Sequence, residues 1–416
     1  MIWLAGIAVP LFAREFPGPD GPVSGVYGFV PGAGGVRWID AGIILAAYVV
    51  ATASLITRAD RWTVSVGMRR ALALFALAIV MSAVYGLRNG GTQIFYEWRA
   101  IALGVCVAYL THRIVRPVDV VTATRCLLLL LGARAAVFLL LWLVGTLRVP
   151  PFGAPVWDGP TLSSAVAAVA LGSGLLMSGS ARSRFLVFVL VSVSAGLVLL
   201  ALRRTYWAEL AVSAGILLLA GRRKRGQQVA IVVILGLVLT LVFVPGDVLW
   251  PRVMSLVHPT DTTNPLADTN RFHIDQVLDA WDAVRRSPIF GVGQGLPFET
   301  SRLGPTHPES WGVHNAPLHV WVRFGLLGLV TYLWFHGSGF RWLLSAATRS
   351  PSSQMALAVA AYWIGTFVPS LAFSPWPYGA VQNTALIGAL LALTDRWLQL
   401  DAPVSGMAMA TAKLSP

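Results

Sequence analysis

Charge is what this sequence has least of. Of its 416 residues only 12% are charged while 56% are hydrophobic, and the mean hydropathy is +0.70. Soluble domains carry about 25% charged residues, so the composition excludes an ordinary water-soluble protein and indicates an integral membrane one. There are two cysteines, Cys106 and Cys126, and both lie in or beside apolar runs. The long polar segment described below therefore has neither a disulfide staple nor a cysteine nucleophile. The sequence also lacks a Gly-x-Ser-x-Gly nucleophile elbow, and it has no repeat of fixed period. The polar segment contains no Asp-x-Asp pair of the kind a sugar-nucleotide metal site would use. His307, His314 and His319 are spaced by seven and five residues, which fits neither a helical i, i+4 zinc pair nor a finger. No metal and no cofactor is expected.

What the chain does have is a series of apolar runs. Met1–Phe12 lacks the basic start and cleavage site of a signal peptide and reads as a first span. Residues 13–38, rich in Gly and Pro, form a surface loop. Further runs follow at 39–57, 70–87, 98–112, 120–147, 161–179, 184–201, 205–220, 227–245, 319–340, 353–372 and 380–397. Crossing a bilayer takes ~20 residues, so the pattern predicts an all-α polytopic protein of about 12 spans. The net charge of +13 is carried by short basic clusters between the runs. Arg58, Arg61, Arg69 and Arg70 follow the second span, Arg113 and Arg116 the fourth, Arg182 and Arg184 the sixth. Residues 222–225 (RRKR) follow the eighth, Arg341 and Arg349 the tenth, and Arg396 and Lys413 close the chain. Clusters after every even-numbered span are what the positive-inside rule produces. The basic surplus thus encodes topology and not a nucleic-acid partner, with both termini cytoplasmic. Residues 1–400 are expected to form one transmembrane domain, with 246–318 an extracytoplasmic loop between spans nine and ten and 401–416 a disordered cytoplasmic tail.

Two places break the pattern. Arg134 lies inside the run LLLLLGARAAVFLLLW, where an arginine costs at least ~2.5–3.5 kcal/mol unless it is paired; a structural ion pair or an internal hydrogen-bond network is expected. Arg203 and Arg204 lie on the outer side between two spans with almost no loop, placed either to snorkel to lipid headgroups or to serve a ligand.

The stretch from 245 to 320 holds five of the seven histidines. Its first part, 247–270, suits irregular structure, and Asn270 suits the N-cap of a following helix. In RFHIDQVLDAWDAVRRS, Ile274, Val277, Leu278, Trp281 and Val284 recur at helical spacing. Asp275, Asp279 and Asp282 line the other side, as expected of a solvated face. Arg271 sits in the first turn, where the helix dipole disfavours a cation, which suggests an anionic ligand. The segment SPIFGVGQG (287–295) reads as a tight turn that redirects the chain, since no strand precedes it as a dinucleotide site would need. His314 and Asn315 come just before the next span.

These residues, in this order, resemble the O-antigen ligase and polymerase superfamily of bacterial envelope proteins. The shared pattern is an Arg opening a loop helix with a Trp (Asn270-Arg271, Trp281), then Ser287-Pro288-Ile289-Phe290-Gly291-Val292-Gly293-Gln294-Gly295, then His314-Asn315, then Gly325-Leu326-Leu327-Gly328-Leu329. The resemblance implies a GT-C-like glycosyltransferase at the outer face of the cytoplasmic (inner) membrane. Its partners would be a polyprenyl diphosphate-linked glycan donor, a glycan or glycolipid acceptor, and membrane lipid. Carried over, His314 is the catalytic residue. Arg271 serves catalysis and diphosphate binding, and Arg203, Arg204 and Asn315 are substrate-binding. Many members read Ser-Arg-Gly where this chain has Arg-Arg-Thr-Tyr-Trp at 203–207, which leaves the choice between Arg203 and Arg204 open. The chemistry is self-consistent: guanidinium can neutralise a leaving diphosphate, and an imidazole can take a hydroxyl proton. The alternatives are a polymerase joining lipid-linked repeat units and, from another class, a lipid or glycan transporter or flippase.

Overall fold

The computed structural model describes residues 64–90, 94–145, 159–176, 181–220, 223–243, 267–302, 309–310, 313–349, 353–371 and 381–401, with a few isolated positions besides. The expected first two spans, 1–12 and 39–57, and the tail beyond Asp401 lie outside these residues.

Eleven helices are defined among the described residues: α1 (Val66–Arg88), α2 (Ile94–Ile114), α3 (Val120–Leu143), α4 (Gly159–Leu175), α5 (Ala181–Leu200), α6 (Arg204–Ala220), α7 (Arg223–Phe243), α8 (Ala267–Arg286), α9 (Ala316–Arg349), α10 (Ser353–Ser370) and α11 (Val381–Asp401). Ten of them coincide with the apolar runs from 70–87 onward, and α8 is the amphipathic loop helix. Four are long and apolar enough to cross a membrane: Val66–Arg88, Pro117–Leu143, Arg182–Leu200 and Ala316–Thr348. Shorter apolar helices accompany them at Ala100–Ile114, Thr161–Leu175 and Gln354–Phe367. The chain therefore crosses the membrane several times.

The centre of the bundle is α4. Its sequence TLSSAVAAVALGS is small all round, and every residue from Thr161 to Ser173 is buried. Small side chains let neighbouring backbones come close, and α4 touches α3, α5, α6, α7, α10 and α11. The outward faces are apolar, as lipid requires: Leu74, Leu77, Val80, Met81 and Val84 on α1, and Ile231, Ile234, Leu237 and Val238 on α7, are exposed. Arg134 resolves as a hydrogen-bonded residue; its buried guanidinium donates to Thr161 Oγ1 at 2.5 Å, joining α3 to the start of α4.

The most extensive helix contact is between α2 and α11. A Cβ on Gly388 would collide with the Gly104 carbonyl, so neither helix tolerates a larger residue at this crossing. At one end of the same pair, His112 Nε2 lies 2.8 Å from Asp395 Oδ2, both fully buried, and the Arg396 guanidinium donates to the His112 carbonyl. Trp62 stacks on the His112 ring at 4.2 Å.

The expected span opening at 319 differs from the observed helix in one important respect. α9 breaks at Gly325, whose backbone (φ 67°, ψ −168°) is open only to glycine. The break orphans polar groups that lipid cannot satisfy, and the glycine-rich turn supplies them. Val292 N–H donates to the Val322 carbonyl at 2.6 Å, and Leu326 N–H reaches the Pro288 and Ile289 carbonyls, each at 3.1 Å. The buried Arg323 guanidinium donates to the Gly293 carbonyl at 3.2 Å and to the Leu296 carbonyl. Ser82 Oγ of α1 donates back to the Arg323 carbonyl at 2.5 Å. The expected redirecting turn is thus also a plug, wedged between α1 and the two halves of α9.

Beyond it, Phe298–Glu299 and Glu309–Ser310 pair as a two-stranded antiparallel ribbon. Phe298 joins Ala280, Ala283, Val284, Val313, Leu318 and Val322 in a small separate core that seats α8 on the first half of α9. The row Ile274, Leu278 and Trp281 stays exposed on the other side of α8, so only part of the expected apolar stripe faces protein.

Gly325→Ala is expected to destabilise by at least about 1–3 kcal/mol, because the backbone excludes an L side chain and the new Cβ would meet the Ile289 carbonyl. Gly337→Ala, at a helical position with open space, should be neutral or slightly stabilising. Thermal unfolding of the detergent-solubilised variants, followed by tryptophan fluorescence, measures the difference; equal transition temperatures would refute the account.

Candidate functional site

α5 and α6 are joined by a very tight turn. Leu202 adopts a left-handed conformation (φ 57°), costly for a branched residue, and is buried. It lets the chain reverse so that the Arg203 carbonyl accepts the Tyr206 and Trp207 N–H groups (3.1 and 3.2 Å), and α6 begins there. Two cations are therefore held at a helix N-terminus, where the unpaired N–H groups and the dipole add further positive potential.

α8 crosses this end of the bundle. It starts at Ala267, earlier than expected, so Asn270 lies inside its first turns and is not its N-cap. Asn270 is buried, and its Oδ1 accepts from Arg204 Nη2 at 2.7 Å, tying α6 to α8. Arg271 is therefore further from the helix start than the dipole argument supposed. Its side chain is 81% exposed, and Asp275 is 3.9 Å away. An exposed pair at that distance holds a guanidinium only weakly, so Arg271 is open to an anionic ligand.

Asn270, His273 and Gln276 recur at three-residue steps and rise on one face of α8. The His273 and His314 rings meet edge to face with centroids 4.2 Å apart. Gln276 Oε1 is 3.1 Å from the His314 backbone nitrogen and 2.5 Å from its Nδ1. Neither His273 nor Gln276 stands out in the sequence, where the apolar and acidic faces dominate this helix. The signal available was the Asn-x-x-His-x-x-Gln spacing, a third, polar face on a helix that would need only two. Burial, the neighbouring His273 and the Arg203 guanidinium push the His314 pKa down to about 4. Burial, then Arg204 and Arg203, lower that of His273 as well. Both rings are neutral near pH 7, beside two guanidinium groups.

Other expected residues are used by the fold. Asn315 caps α9: its Oδ1 accepts from Leu318 N–H at 2.9 Å and its Nδ2 donates to the Leu371 carbonyl. These two bonds fix the backbone next to His314. His319 is buried, and its Nδ1 accepts from Val313 N–H at 3.2 Å, bracing the turn into α9. His307 lies outside the described residues. The acidic row is only partly solvated. Asp279 is buried, and Arg302 Nη1 lies 2.7 Å from both Asp279 Oδ1 and Asp282 Oδ2. Ser301 Oγ and the Arg302 N–H also donate to Asp279, each at 3.1 Å. Arg302 holds the Asp282 carboxyl below its usual range. The row is thus a clasp that ties the returning loop to α8. No group of three or more His, Cys, Asp or Glu side chains able to hold a metal ion occurs among the described residues.

The arrangement offers cations for a phosphate group and, within the same cluster, a neutral imidazole with a lone pair. No curated protein sequence matches the chain significantly. Residues 167–333 match the family model described as O-Antigen ligase. That stretch runs from α4 into the second half of α9 and contains Arg203, Arg204, Asn270, Arg271, His273, Gln276 and His314. The match, over residues 167–333, supports the O-antigen ligase superfamily.

Proposed function

We propose that this protein is a membrane glycosyltransferase that moves a glycan from a polyprenyl diphosphate carrier to an acceptor hydroxyl at the outer face of the cytoplasmic membrane. The observation that carries the proposal is a neutral His314 packed against His273 and within reach of the Arg203 charge, where Arg204 ties the start of α6 to the loop helix at Asn270, next in sequence to Arg271. A GT-C-like layout of about 12 spans with both termini cytoplasmic, the orientation the basic clusters favour, puts this end of the bundle outside.

In this reaction the acceptor hydroxyl oxygen attacks the anomeric carbon and the bond from that carbon to the diphosphate oxygen breaks. The hydroxyl proton passes to His314, and polyprenyl diphosphate leaves. Charge grows on the departing oxygens, and guanidinium neutralises it at any physiological pH through two parallel N–H donors. Arg271 is exposed enough to take the diphosphate directly. Arg203, whose charge reaches His314, is the second contact. Arg204 adds its charge from its post beside Asn270. A bound diphosphate also offsets the Arg203 charge that depresses His314, so the ring becomes more basic once the donor is in place. The acceptor is either a separate glycan or glycolipid (a ligase) or a second lipid-linked repeat unit (a polymerase). Turnover of a purified donor by the reconstituted protein alone separates either enzyme from a transporter or flippase.

His314→Ala should reduce transfer by ~10²–10⁴-fold with donor binding nearly unchanged. Arg271→Ala should weaken donor binding and slow transfer, and Arg271→Lys should recover only part of both. Donor binding measured beside single-turnover transfer tests this; near-normal transfer by His314→Ala would end the base assignment. Activity should survive chelation by EDTA, because guanidinium supplies the charge compensation; loss restored by Mg²⁺ would instead implicate a divalent ion. The base must be neutral to work, so kcat/KM should stay level as pH falls below 6.5 and drop only near the free-enzyme value of about 4. The acid limb of kcat, which reports the donor complex, should lie at higher pH.

A further inference from the structure

Gln276 touches His314 twice with one atom. Its Oε1 faces the His314 backbone nitrogen at 3.1 Å and the ring Nδ1 at 2.5 Å. A backbone N–H only donates, so the amide atom facing it must be the oxygen; the amide NH₂ there would set donor against donor. An amide oxygen only accepts, so Nδ1 must donate as well and carries the ring proton. A neutral imidazole has one N–H, and the lone pair is therefore on Nε2. We infer that Gln276 is a positioning residue that fixes His314 in the Nδ1–H tautomer and orients Nε2 as the atom that takes the acceptor's proton. The inference rests on the reading of His314 as the general base.

The choice of an amide follows from what surrounds it. The charged and titratable groups facing His314 are Arg203 from the start of α6, His273 from α8 and His319 from the first turn of α9. A carboxylate in the place of Gln276 would orient the ring equally well. It would also pair with the nearby guanidinium groups and compete with the diphosphate for them. A neutral amide orients the base and leaves the cations to the donor.

The test compares Gln276→Leu and Gln276→Glu with wild type, measuring kcat, KM for the donor, the pH profile of kcat/KM and thermal unfolding. Gln276→Leu removes the acceptor for Nδ1–H. It should lower kcat by roughly 10–100-fold, the usual loss when the partner that fixes an imidazole tautomer is removed, with KM for the donor little changed. Gln276→Glu keeps an acceptor oxygen and nearly the same shape, so it should retain more of kcat than Gln276→Leu. Its added negative charge should move the acid limb of kcat/KM to higher pH and raise KM for the donor. Wild-type kcat in Gln276→Leu, or equal losses in both variants with the acid limb unmoved, would overturn the inference. If His314→Ala still transfers normally, the base reading itself fails. If His314→Ala is inactive while the Gln276 variants leave rate and profile unchanged, only the role of Gln276 fails.

Discussion

The structure depends on how it treats a broken helix inside a membrane. α9 gives up its continuity at Gly325, and the exposed polar groups on either side of the break have no water to turn to. The turn at 288–292 provides the missing donor and acceptors, and Arg323 clamps the rest of that turn from below. Because the turn is fixed, the end of α8 is fixed. Because α8 also rests on the first half of α9 through the Ala280, Val284 and Phe298 core, its whole length is held at one angle. That angle brings Asn270 to Arg204 and His273 and Gln276 to His314. A backbone fault in one helix thus sets side-chain geometry some fifty residues earlier in the chain.

The site that results is unbalanced in charge. Cations gather at the start of α6, while Asp275, Asp279 and Asp282 of α8 lie on the face away from His273 and Gln276, beside Arg271 and Arg302. The interior groups facing the arginines are an amide, Asn270, and two neutral imidazoles. Such a cluster suits a substrate that brings its own negative charge and leaves with more.

The helices were legible because a bilayer imposes a length on every span and expels charge from its interior, so the apolar runs and observed helices agree to within about four residues from α1 onward, except at the end of α9, which runs on to Arg349. Arg271 and His314 stand out in the sequence as members of an ordered pattern of polar residues, and their roles remain part of the proposal. The break in α9 was not, since GLLGL is apolar on both sides of Gly325 and nothing local marks a glycine as left-handed. Asn270 looked like a cap because Asn caps often; its true role depends on Arg204, sixty-six positions away in the chain. Asp279 read as solvated because its partner Arg302 arrives from the returning loop. Gln276 carries no charge and no motif, and its meaning appears only when His314 is set beside it.

The pairing of α2 with α11 has a consequence for how the protein is made. Translation delivers α2 early and α11 near the end of the described chain, yet each is the other's most extensive neighbour. Until α11 leaves the ribosome, the narrow face at Gly104 lacks the partner it packs against in the folded chain, and His112 lacks Asp395 and Arg396. The bundle therefore cannot shut progressively as helices are inserted. It stays open along one seam through most of synthesis and closes in a late step, when its last described helix slots against one of its first.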